Sequence, residues 1–534
     1  MTPPDARILA LLQAGDVEGA ARLASAAIAA GGLHPLLFDA RGAWRLLDGD
    51  PAAALSDFAQ ALALAPRNPG LHLSIARALI GLGRFAEATQ SCDAALALDP
   101  RLAAAHFEKG CAAEMMGDLH LARRSFQQAA TLAPDIADVH AKLASLSARR
   151  GDWAEARTLS RKALSLDPGN STAILADVTA ALGEGATEGQ VSRLDTLLAA
   201  NGHSPETRAQ ALNLKANLLD RQDRIAEAFA GYAAANDTLL AAYAQRFAGL
   251  APGAERVAAL GRAFAAISPE RWRGAAPGRS PAAGHVFVLG FYRTGTTLLG
   301  QILAGHPAVT TLEEKPLLID AATDFLDGPG GLERLATLSD ADADAYRARY
   351  WRRARENEPG LAGRVVVDKL PLNTIALPVI AQLFPEAKVV FAVRDPRDVV
   401  FSCFRRLLNV NRDTIEMLSV PRGATFYAAV MALAETYRAA LPIAVLDIRN
   451  EDLAADFETS VRGVCAFLGL TWKDSMTRFA EQSRTRSIAT PSAAQVARGI
   501  NSDGVGQWRR YRDQLAPILP VLEPWTVRFG YSSD

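Results

Sequence analysis

The feature that most constrains the fold of this chain is a 34-residue repeat in its first half. Proline recurs at this step at Pro66, Pro100, Pro134 and Pro168. Glycine and alanine keep the same step, at Gly15, Gly49, Gly83, Gly117 and Gly151 and at Ala20, Ala54, Ala88, Ala122 and Ala156. Apolar residues between them follow helical spacing. Three residue types that share one step argue against an alanine-rich bundle without periodicity, and they predict a stack of similar helical units.

Each unit is predicted to be a helix–turn–helix. A glycine ends the first helix, a small alanine lets the paired helices approach closely, and a proline stops the second helix. The pattern resembles the tetratricopeptide repeat, with good copies between about residues 35 and 168 and a partial copy before them. A further unit is expected around Ala228, Tyr232 and Ala235, after an irregular insertion at 183–202. Such solenoids grip a peptide or protein in a concave groove, or serve only as docking scaffolds. Recognition of a peptide or protein partner is the favoured interpretation.

The periodicity changes after a segment rich in proline and glycine. Residues 237–272 still show a helical pattern, whereas 274–284 have the composition of a linker or surface loop. We therefore predict a repeat solenoid over 1–236, a helical connector and linker over 237–284, and a second domain over 285–534.

Composition narrows the function classes. The formal net charge is −1, so no overall field draws the chain to nucleic acid or to an anionic membrane. No apolar run reaches the roughly 18 residues of a spanning helix, and no signal-peptide core follows the first residues. The cysteines are scattered, without a metal-binding pair, at Cys92, Cys111, Cys403 and Cys465. This pattern favours a reducing compartment. We expect a cytoplasmic protein without an integral membrane segment or a metal.

The second half alternates strands with helices. Short apolar runs predict strands at 285–289, 365–367, 388–393 and 444–448. Helical patterns follow them, from 297 onward and over 374–383, 396–408 and 457–468. Continuous apolar strands alternating with helices indicate a central parallel sheet covered on both faces. The expected architecture is thus an all-helical solenoid followed by a P-loop-like α/β domain, with ligands at the carboxyl ends of the strands.

A phosphate-binding loop is predicted after the first of these strands. Residues 290–297 have the spacing G-x-x-x-x-G, and they lie between a strand and a helix, where backbone N–H groups form an anion site. The lysine of nucleoside triphosphatases is absent, since Thr296 occupies its position and Arg293 lies inside the loop. A kinase or ATPase is therefore disfavoured.

A second motif begins at Arg394, after the third strand. Asp395 is a predicted N-cap that precedes a proline at the first helical position. Ser402 and Arg406 are four residues apart on one helical face, so they are expected to share a ligand with Arg394. Arg397 and the aspartate that follows it would be solvated charges at the helix start.

Together the two motifs resemble the sulfotransferases that use 3′-phosphoadenosine 5′-phosphosulfate (PAPS). The match to the tyrosylprotein sulfotransferase branch, and to bacterial repeat-containing members, spans nearly all of 285–534. The resemblance implies a contact to the 3′-phosphate from Arg394 and Ser402, with Arg406 as an additional contact. It implies that the 5′-phosphosulfate is bound by Arg293, Thr294, Gly295, Thr296 and Thr297.

Further segments agree with this family. Glu314 matches its general base, Lys369 its catalytic lysine, and Arg498 a phosphate contact in a late loop. Asn450 stands where relatives often have tyrosine, and Gln507 stands where a basic residue is common.

Several neighbouring residues are assigned no role in the reaction. Glu313 is expected to be solvated, and His306 to be a turn residue. His285 is a weak candidate base. The arginine-rich stretch 347–355 is expected to be a solvated helix face, although it would attract an acidic acceptor.

The resemblance implies an enzyme that moves a sulfuryl group from PAPS to an acceptor hydroxyl and releases adenosine 3′,5′-bisphosphate, without a metal. Lys369 and Arg293 would stabilise charge on the transferring group. A peptide tyrosine is one acceptor candidate, and a glycan, lipid or small molecule is another. The alternative is a catalytically inactive repeat scaffold that binds a nucleotide. The oligomeric state stays open, with a homodimer as one option.

Overall fold

The computed structural model describes residues 3–481, 499 and 504–532, with side chains from residue 5 onward. The chain divides into two compact units, Met1–Ala186 and Thr187–Asp534.

The first unit is built of antiparallel helix pairs. Its helices are α1 (Pro3–Gln13), α2 (Val17–Ala29), α3 (Pro35–Leu47), α4 (Pro51–Leu64), α5 (Pro69–Gly81), α6 (Phe85–Leu98), α7 (Ala103–Met115), α8 (Leu119–Leu132), α9 (Ala137–Arg150), α10 (Trp153–Leu166) and α11 (Ser171–Glu184). The helices within each pair pack against each other, and each pair packs against the next. The predicted helix–turn–helix stack is confirmed.

The turn inside each pair shows why glycine recurs. Gly15, Gly49 and Gly151 have φ of 79°, 85° and 79°, in the left-handed region that favours glycine. An aspartate follows these glycines and caps the next helix, as where Asp50 accepts a hydrogen bond of 2.9 Å from Ala53 N–H. The repeating Gly-Asp pair therefore ends one helix and starts the next.

The second unit begins with helices of its own. They are α12 (Gln190–Ala199), α13 (Pro205–Arg221), α14 (Ile225–Tyr243) and α15 (Gly253–Ala265), with 3₁₀ turns at Gln245–Phe247 and Pro269–Arg271. α13 and α14 form a hairpin that contains the predicted further unit around Tyr232, and α12 occupies the predicted insertion. This hairpin belongs to the compact unit that starts at Thr187.

The central sheet has five parallel strands. They are β1 (Gly284–Gly290), β2 (Val309–Glu313), β3 (Val365–Lys369), β4 (Lys388–Val393) and β5 (Ala444–Arg449), in the order β2-β3-β1-β4-β5. The predicted parallel sheet is confirmed, whereas β2 was not predicted because its threonines interrupt the apolar run. The order of strands reverses at β1, so its carboxyl end, between β3 and β4, is the switch point where such sheets bind ligands.

Helices cover both faces of this sheet. They are α16 (Thr296–Ala304), α17 (Ile319–Leu326), α18 (Gly331–Ala336), α19 (Asp340–Asn357), α20 (Leu377–Leu383), α21 (Pro396–Phe404), α22 (Val420–Ala440), α23 (Asn450–Ala455), α24 (Phe457–Leu468), α25 (Arg512–Leu515) and α26 (Leu519–Arg528). Short 3₁₀ turns lie at Pro371–Thr374, Thr414–Leu418, Asp474–Arg478, Gln507–Tyr511 and Ala516–Ile518.

Alternate residues of β1 enter two cores. Phe287 lies in one core with Ile380 of α20, and Val288 lies in the other with Ile302 of α16. Successive side chains of a strand point to opposite faces, so this central strand is apolar throughout. Burying a side chain of this size stabilises the fold by about 1.5–3 kcal/mol.

The segment before β1 is packed on the domain. Trp272 and Ala275 are buried, and Ala275 N–H donates a hydrogen bond of 2.9 Å to Gln382 O. Within the described ranges, no helix has both the length and the apolar character needed to cross a membrane.

Candidate active site

The candidate site lies where the carboxyl ends of four strands meet. The loop 291–295 follows β1, Glu314 follows β2, Lys369 ends β3, and Arg394 follows β4. The register pairs Glu313 directly with Lys369. The parallel sheet therefore brings to one edge residues that are up to about a hundred positions apart in the sequence.

The phosphate loop is shaped by residues with positive φ. Gly290 and Gly295 have φ of 150° and 99°, and a β-carbon on Gly295 would overlap Asn450 Oδ1. Thr294 Oγ1 closes the turn with a hydrogen bond of 2.8 Å to Phe291 O. α16 starts at Thr296, so the positive end of the helix faces the loop. Backbone N–H groups in a turn of this kind, together with the start of a helix, are suited to an anion.

A cluster of arginines lies beside the loop. Arg293 Nε donates a hydrogen bond of 3.1 Å to Ser402 Oγ, and Arg394 Nη1 donates one of 3.1 Å to Arg293 O. Desolvation, followed by the positive charges of Arg406 and Arg394, lowers the pKa of Arg293 to about 9. Arg394 Nε is buried without a hydrogen-bond partner in the described part of the chain. A bound anion would offset the repulsion among these arginines, and it would accept the hydrogen bond that Arg394 Nε does not make in the described part of the chain.

Lys369 is a fully buried cation between two carboxylates. Its Nζ lies 2.7 Å from Glu313 Oε2 and 2.7 Å from Glu314 Oε1, and 3.5 Å from Thr297 Oγ1. Burial acts to lower the pKa of Lys369, but the charges of Glu313 and Glu314 outweigh it and raise the pKa above its ordinary value. The lysine is therefore held protonated next to the phosphate loop.

Backbone strain coincides with two of the predicted site residues. Among the described residues other than glycine, positive φ occurs at Asp223, Arg293 and Glu314, with φ of 59°, 64° and 51°. Such conformations cost on the order of 1–3 kcal/mol and persist where the surroundings enforce them. At Glu314 the enforcing contact is a backbone hydrogen bond of 2.8 Å from its N–H to Lys369 O.

Both halves of the chain match models of known protein families. Residues 285–474 match the model of the sulfotransferase family. Residues 45–107 and 107–171 match tetratricopeptide repeat models. The chain thus joins tetratricopeptide repeats to a sulfotransferase-family domain.

The relatives of the sulfotransferase domain are distant. An uncharacterised protein of Aquifex aeolicus (strain VF5) is 27% identical over 259 residues, which are 46% of this chain and 33% of that protein. Protein-tyrosine sulfotransferase 2 of Gallus gallus is 25% identical over 273 residues, 46% of this chain and 69% of that protein. The chain therefore spans about a third of the length of the Aquifex protein. The sulfotransferase domain of the Synechococcus PCC 7002 olefin synthase covers 48% of this chain and 98% of its own, at 19% identity and a TM-score of 0.33.

Three charged residues near this site are placed differently from the sequence expectation. Glu313 is not a solvated surface residue, because it contacts Lys369 and accepts a hydrogen bond of 3.0 Å from Gln301. Arg397 and Asp398 are buried at the start of α21. Pairing across the sheet half-buries Glu313, and packing against distant segments buries Arg397 and Asp398. Neither kind of contact is visible in local sequence.

The burial of Arg397 and Asp398 involves a segment a hundred residues later. Arg397 pairs with Asp395 at 2.8 Å, and its guanidinium lies 3.9 Å from the centroid of the Trp508 ring. Asp398 accepts hydrogen bonds of 2.6 Å from Gly506 N–H and 2.9 Å from Trp508 N–H. This end of the late loop is thus anchored to α21. The predicted contact Arg498 lies outside the described residues.

The structure confirms the predicted cap of α21 and corrects the predicted end of this helix. Asp395 caps α21 as predicted, accepting a hydrogen bond of 2.9 Å from Arg397 N–H. That helix ends at Phe404 rather than near 408, so Arg406 lies beyond it and shares no helical face with Ser402. The turn role of His306 is supported, since its Nδ1 accepts a hydrogen bond of 3.1 Å from Ala308 N–H.

The alternative base His285 lies at the opposite end of β1 from the phosphate loop. Its Nε2 lies 2.8 Å from Tyr350 Oη, and desolvation lowers its pKa to about 3. In the arginine-rich helix α19, Arg347 is buried and donates to Leu383 O, while Arg353 pairs with Asp320 at 2.7 Å. That face is therefore only partly solvated, contrary to the expectation.

No cluster of three or more histidine, cysteine, aspartate and glutamate side chains suited to a metal ion is found within residues 3–481, 499 and 504–532.

Proposed function

We propose that this protein transfers the sulfuryl group of PAPS to an acceptor hydroxyl. The observation that carries the proposal is the arginine cluster of Arg293, Arg394 and Arg406 beside the phosphate loop. Burial and then the charges of Arg406 and Arg394 lower the pKa of Arg293, and a cluster of neighbouring guanidinium groups fits a ligand with more than one anionic group. PAPS carries a phosphosulfate at one end of the nucleoside and a phosphate on the other side of the ribose.

The donor is proposed to bind across both motifs. The N–H groups of 294–297 and the hydroxyls of Thr296 and Thr297 would hold the 5′-phosphosulfate. Arg394, Ser402 and Arg406 would hold the 3′-phosphate, joined by Arg498. Ser402 already accepts a hydrogen bond from Arg293, so the two phosphate sites adjoin.

Glu314 and Lys369 are proposed to carry the chemistry. As the acceptor oxygen bonds to sulfur, Glu314 takes the hydroxyl proton. The bond between sulfur and the 5′-phosphate oxygen breaks, and adenosine 3′,5′-bisphosphate leaves with the electron pair. Lys369 and Arg293 stabilise negative charge on the transferring group and on the leaving phosphate. A base placed in this way contributes about 10²–10⁴-fold.

The repeat region is proposed to recognise the acceptor or a protein partner. Relatives named as protein-tyrosine sulfotransferases favour a peptide tyrosine as acceptor. A glycan, lipid or small molecule is the alternative, and mass spectrometry of products from labelled PAPS and a cell extract distinguishes them.

Calorimetry tests the donor assignment. We expect adenosine 3′,5′-bisphosphate to bind more tightly than ADP, because only the former presents a 3′-phosphate to Arg394 and Ser402. Arg394→Ala should remove most of the difference. Equal affinities of the two nucleotides for the unmodified protein would contradict the proposal.

Turnover tests the base. Glu314→Ala should abolish sulfuryl transfer from labelled PAPS while leaving the affinity for adenosine 3′,5′-bisphosphate within about twofold, since Glu314 belongs to the acceptor side. Full turnover in this variant would remove Glu314 as the base. An unmodified protein that binds the nucleotide but sulfates nothing would favour the inactive scaffold.

A further inference from the structure

The end of α21 is held by side chains from helices far earlier in the chain. The last carbonyls of a helix lack partners within the helix and need donors from elsewhere. Asn236 Nδ2 on α14 donates a hydrogen bond of 2.8 Å to Phe404 O. Asn213 Nδ2 on α13 donates one of 3.0 Å to Arg405 O. The α13–α14 hairpin thus caps the helix that carries Ser402 and leads into Arg406.

Both asparagines are buried, and hydrogen bonds on both ends of the amide orient Asn213. Asn236 is 1% exposed and Asn213 is 9% exposed. Asn213 Oδ1 accepts a hydrogen bond of 3.1 Å from Asn217, and Asn217 Oδ1 accepts one of 3.0 Å from Tyr232 Oη. A chain of hydrogen bonds therefore runs through the hairpin to the carbonyl of Arg405. Removing one partner of a buried hydrogen bond leaves the other polar group unsatisfied and destabilises the local arrangement.

Further contacts join the hairpin to the same end of α21. The rings of Phe229 and Phe404 lie 5.3 Å apart. Asp220 accepts a hydrogen bond of 2.6 Å from Tyr511 Oη, and its carboxylate lies 3.9 Å from Arg405 Nη1. The hairpin packs on the side of the domain that holds the arginine cluster.

We propose that Asn236 and Asn213 are positioning residues for the 3′-phosphate site. By holding the Phe404 and Arg405 carbonyls, they set the end of α21, so that Ser402 stays within reach of Arg293 and Arg406 follows in a defined direction. This inference rests on the proposed function. It assigns the α13–α14 hairpin, whose sequence has the repeat pattern, to donor binding and not to acceptor recognition.

The test compares two ligands that differ in the 3′-phosphate. Asn236→Leu keeps the size of the side chain, adds no charge and removes the donor. We expect its affinity for adenosine 3′,5′-bisphosphate to fall about tenfold, a change of about 1.4 kcal/mol. Its affinity for adenosine 5′-monophosphate should stay within about twofold. The ratio of the two dissociation constants separates positioning from a general loss of folded protein, which weakens both ligands alike.

Two further variants complete the experiment. Asn213→Leu, at a less enclosed position, should shift the ratio in the same direction and serves if Asn236→Leu does not fold. The same substitution at the exposed Asn201 should change neither ligand. An unchanged ratio in both Asn236→Leu and Asn213→Leu would overturn the inference while leaving the donor assignment intact. If the unmodified protein itself shows no preference for the bisphosphate, the donor assignment and the inference both fall.

Discussion

At the scale of single residues, Lys369 is the most constrained side chain of the site. It is fully buried, and a buried cation is tolerated only where carboxylates neutralise it. Glu313 and Glu314 share this role but differ in surroundings. Glu313 is 18% exposed and bonded to Gln301, whereas Glu314 is 36% exposed. Glu313 is therefore the more enclosed partner of the lysine, and Glu314 is the more accessible of the two carboxylates, as the proposed base must be.

A double-mutant cycle tests this division. Glu313→Gln keeps the shape but removes one of the two charges that hold Lys369, so we expect a loss of about 1–3 kcal/mol in the free energy of unfolding. In a Lys369→Met background no buried cation remains, and the same change should cost close to nothing. Urea denaturation of the unmodified protein, the two single variants and the double variant measures the cost of Glu313→Gln in each background. An equal cost in the two backgrounds would show that Glu313 stabilises the fold independently of the lysine.

At the scale of elements, the phosphate loop depends on backbone conformation more than on side chains. The loop must turn from β1 into α16 within a few residues while its N–H groups face one point. Gly295, with φ of 99°, makes the last step of this turn next to Asn450. Any side chain at this position is opposed both by the backbone conformation and by lack of space.

Substitution of this glycine separates the two effects. We expect Gly295→Ala to lower the melting temperature and to weaken binding of adenosine 3′,5′-bisphosphate by about tenfold or more. Adding Asn450→Ala removes the overlap but not the backbone strain, so it should restore stability only in part. Gly463→Ala in α24, where a β-carbon meets nothing within 4 Å, is the matched control and should be neutral or stabilising. Unchanged binding in Gly295→Ala would argue against the loop as the phosphate site.

At the scale of the whole molecule, the boundary between the two compact units does not coincide with the end of the repeat pattern. The repeat pattern extends to the region of Tyr232, but the second compact unit already begins at Thr187. The reason is the α13–α14 hairpin, whose asparagines and aromatic residues pack on the end of α21. The second compact unit therefore includes two helices that the sequence assigns to the solenoid.

Two fragments test where this domain begins. A fragment of residues 187–534 should unfold cooperatively and bind adenosine 3′,5′-bisphosphate like the full chain. A fragment of residues 244–534 leaves the carbonyls of Phe404 and Arg405 without their asparagine donors and exposes the face that covered Phe404. It should melt at a lower temperature and lose most of its affinity. Circular dichroism and calorimetry measure both properties, and equal behaviour of the two fragments would place the hairpin outside the functional domain.

Sequence patterns were sufficient to predict the repeat and the parallel sheet. The apolar strands and the glycine loop are short-range features, and the 34-residue step is a periodicity that can be read directly from the sequence. The resemblance added roles for Glu314 and Lys369, and it named the 3′-phosphate as the expected ligand of Arg394 and Ser402.

The tertiary structure decided what depends on contacts between distant segments. It half-buried Glu313 beside Lys369 by pairing β2 with β3, and it buried Asp398 against the backbone of residues 506 and 508. It also placed the α13–α14 hairpin, which the sequence assigns to the solenoid, in the second compact unit and against the end of α21. From sequence alone, a charged residue is predicted to be solvated because its partner is unknown. A helix pair with the repeat pattern is predicted to belong to the solenoid because the surface that it covers is unknown. The partner of a charge and the surface under a helix pair both depend on long-range packing, which a local sequence pattern does not specify.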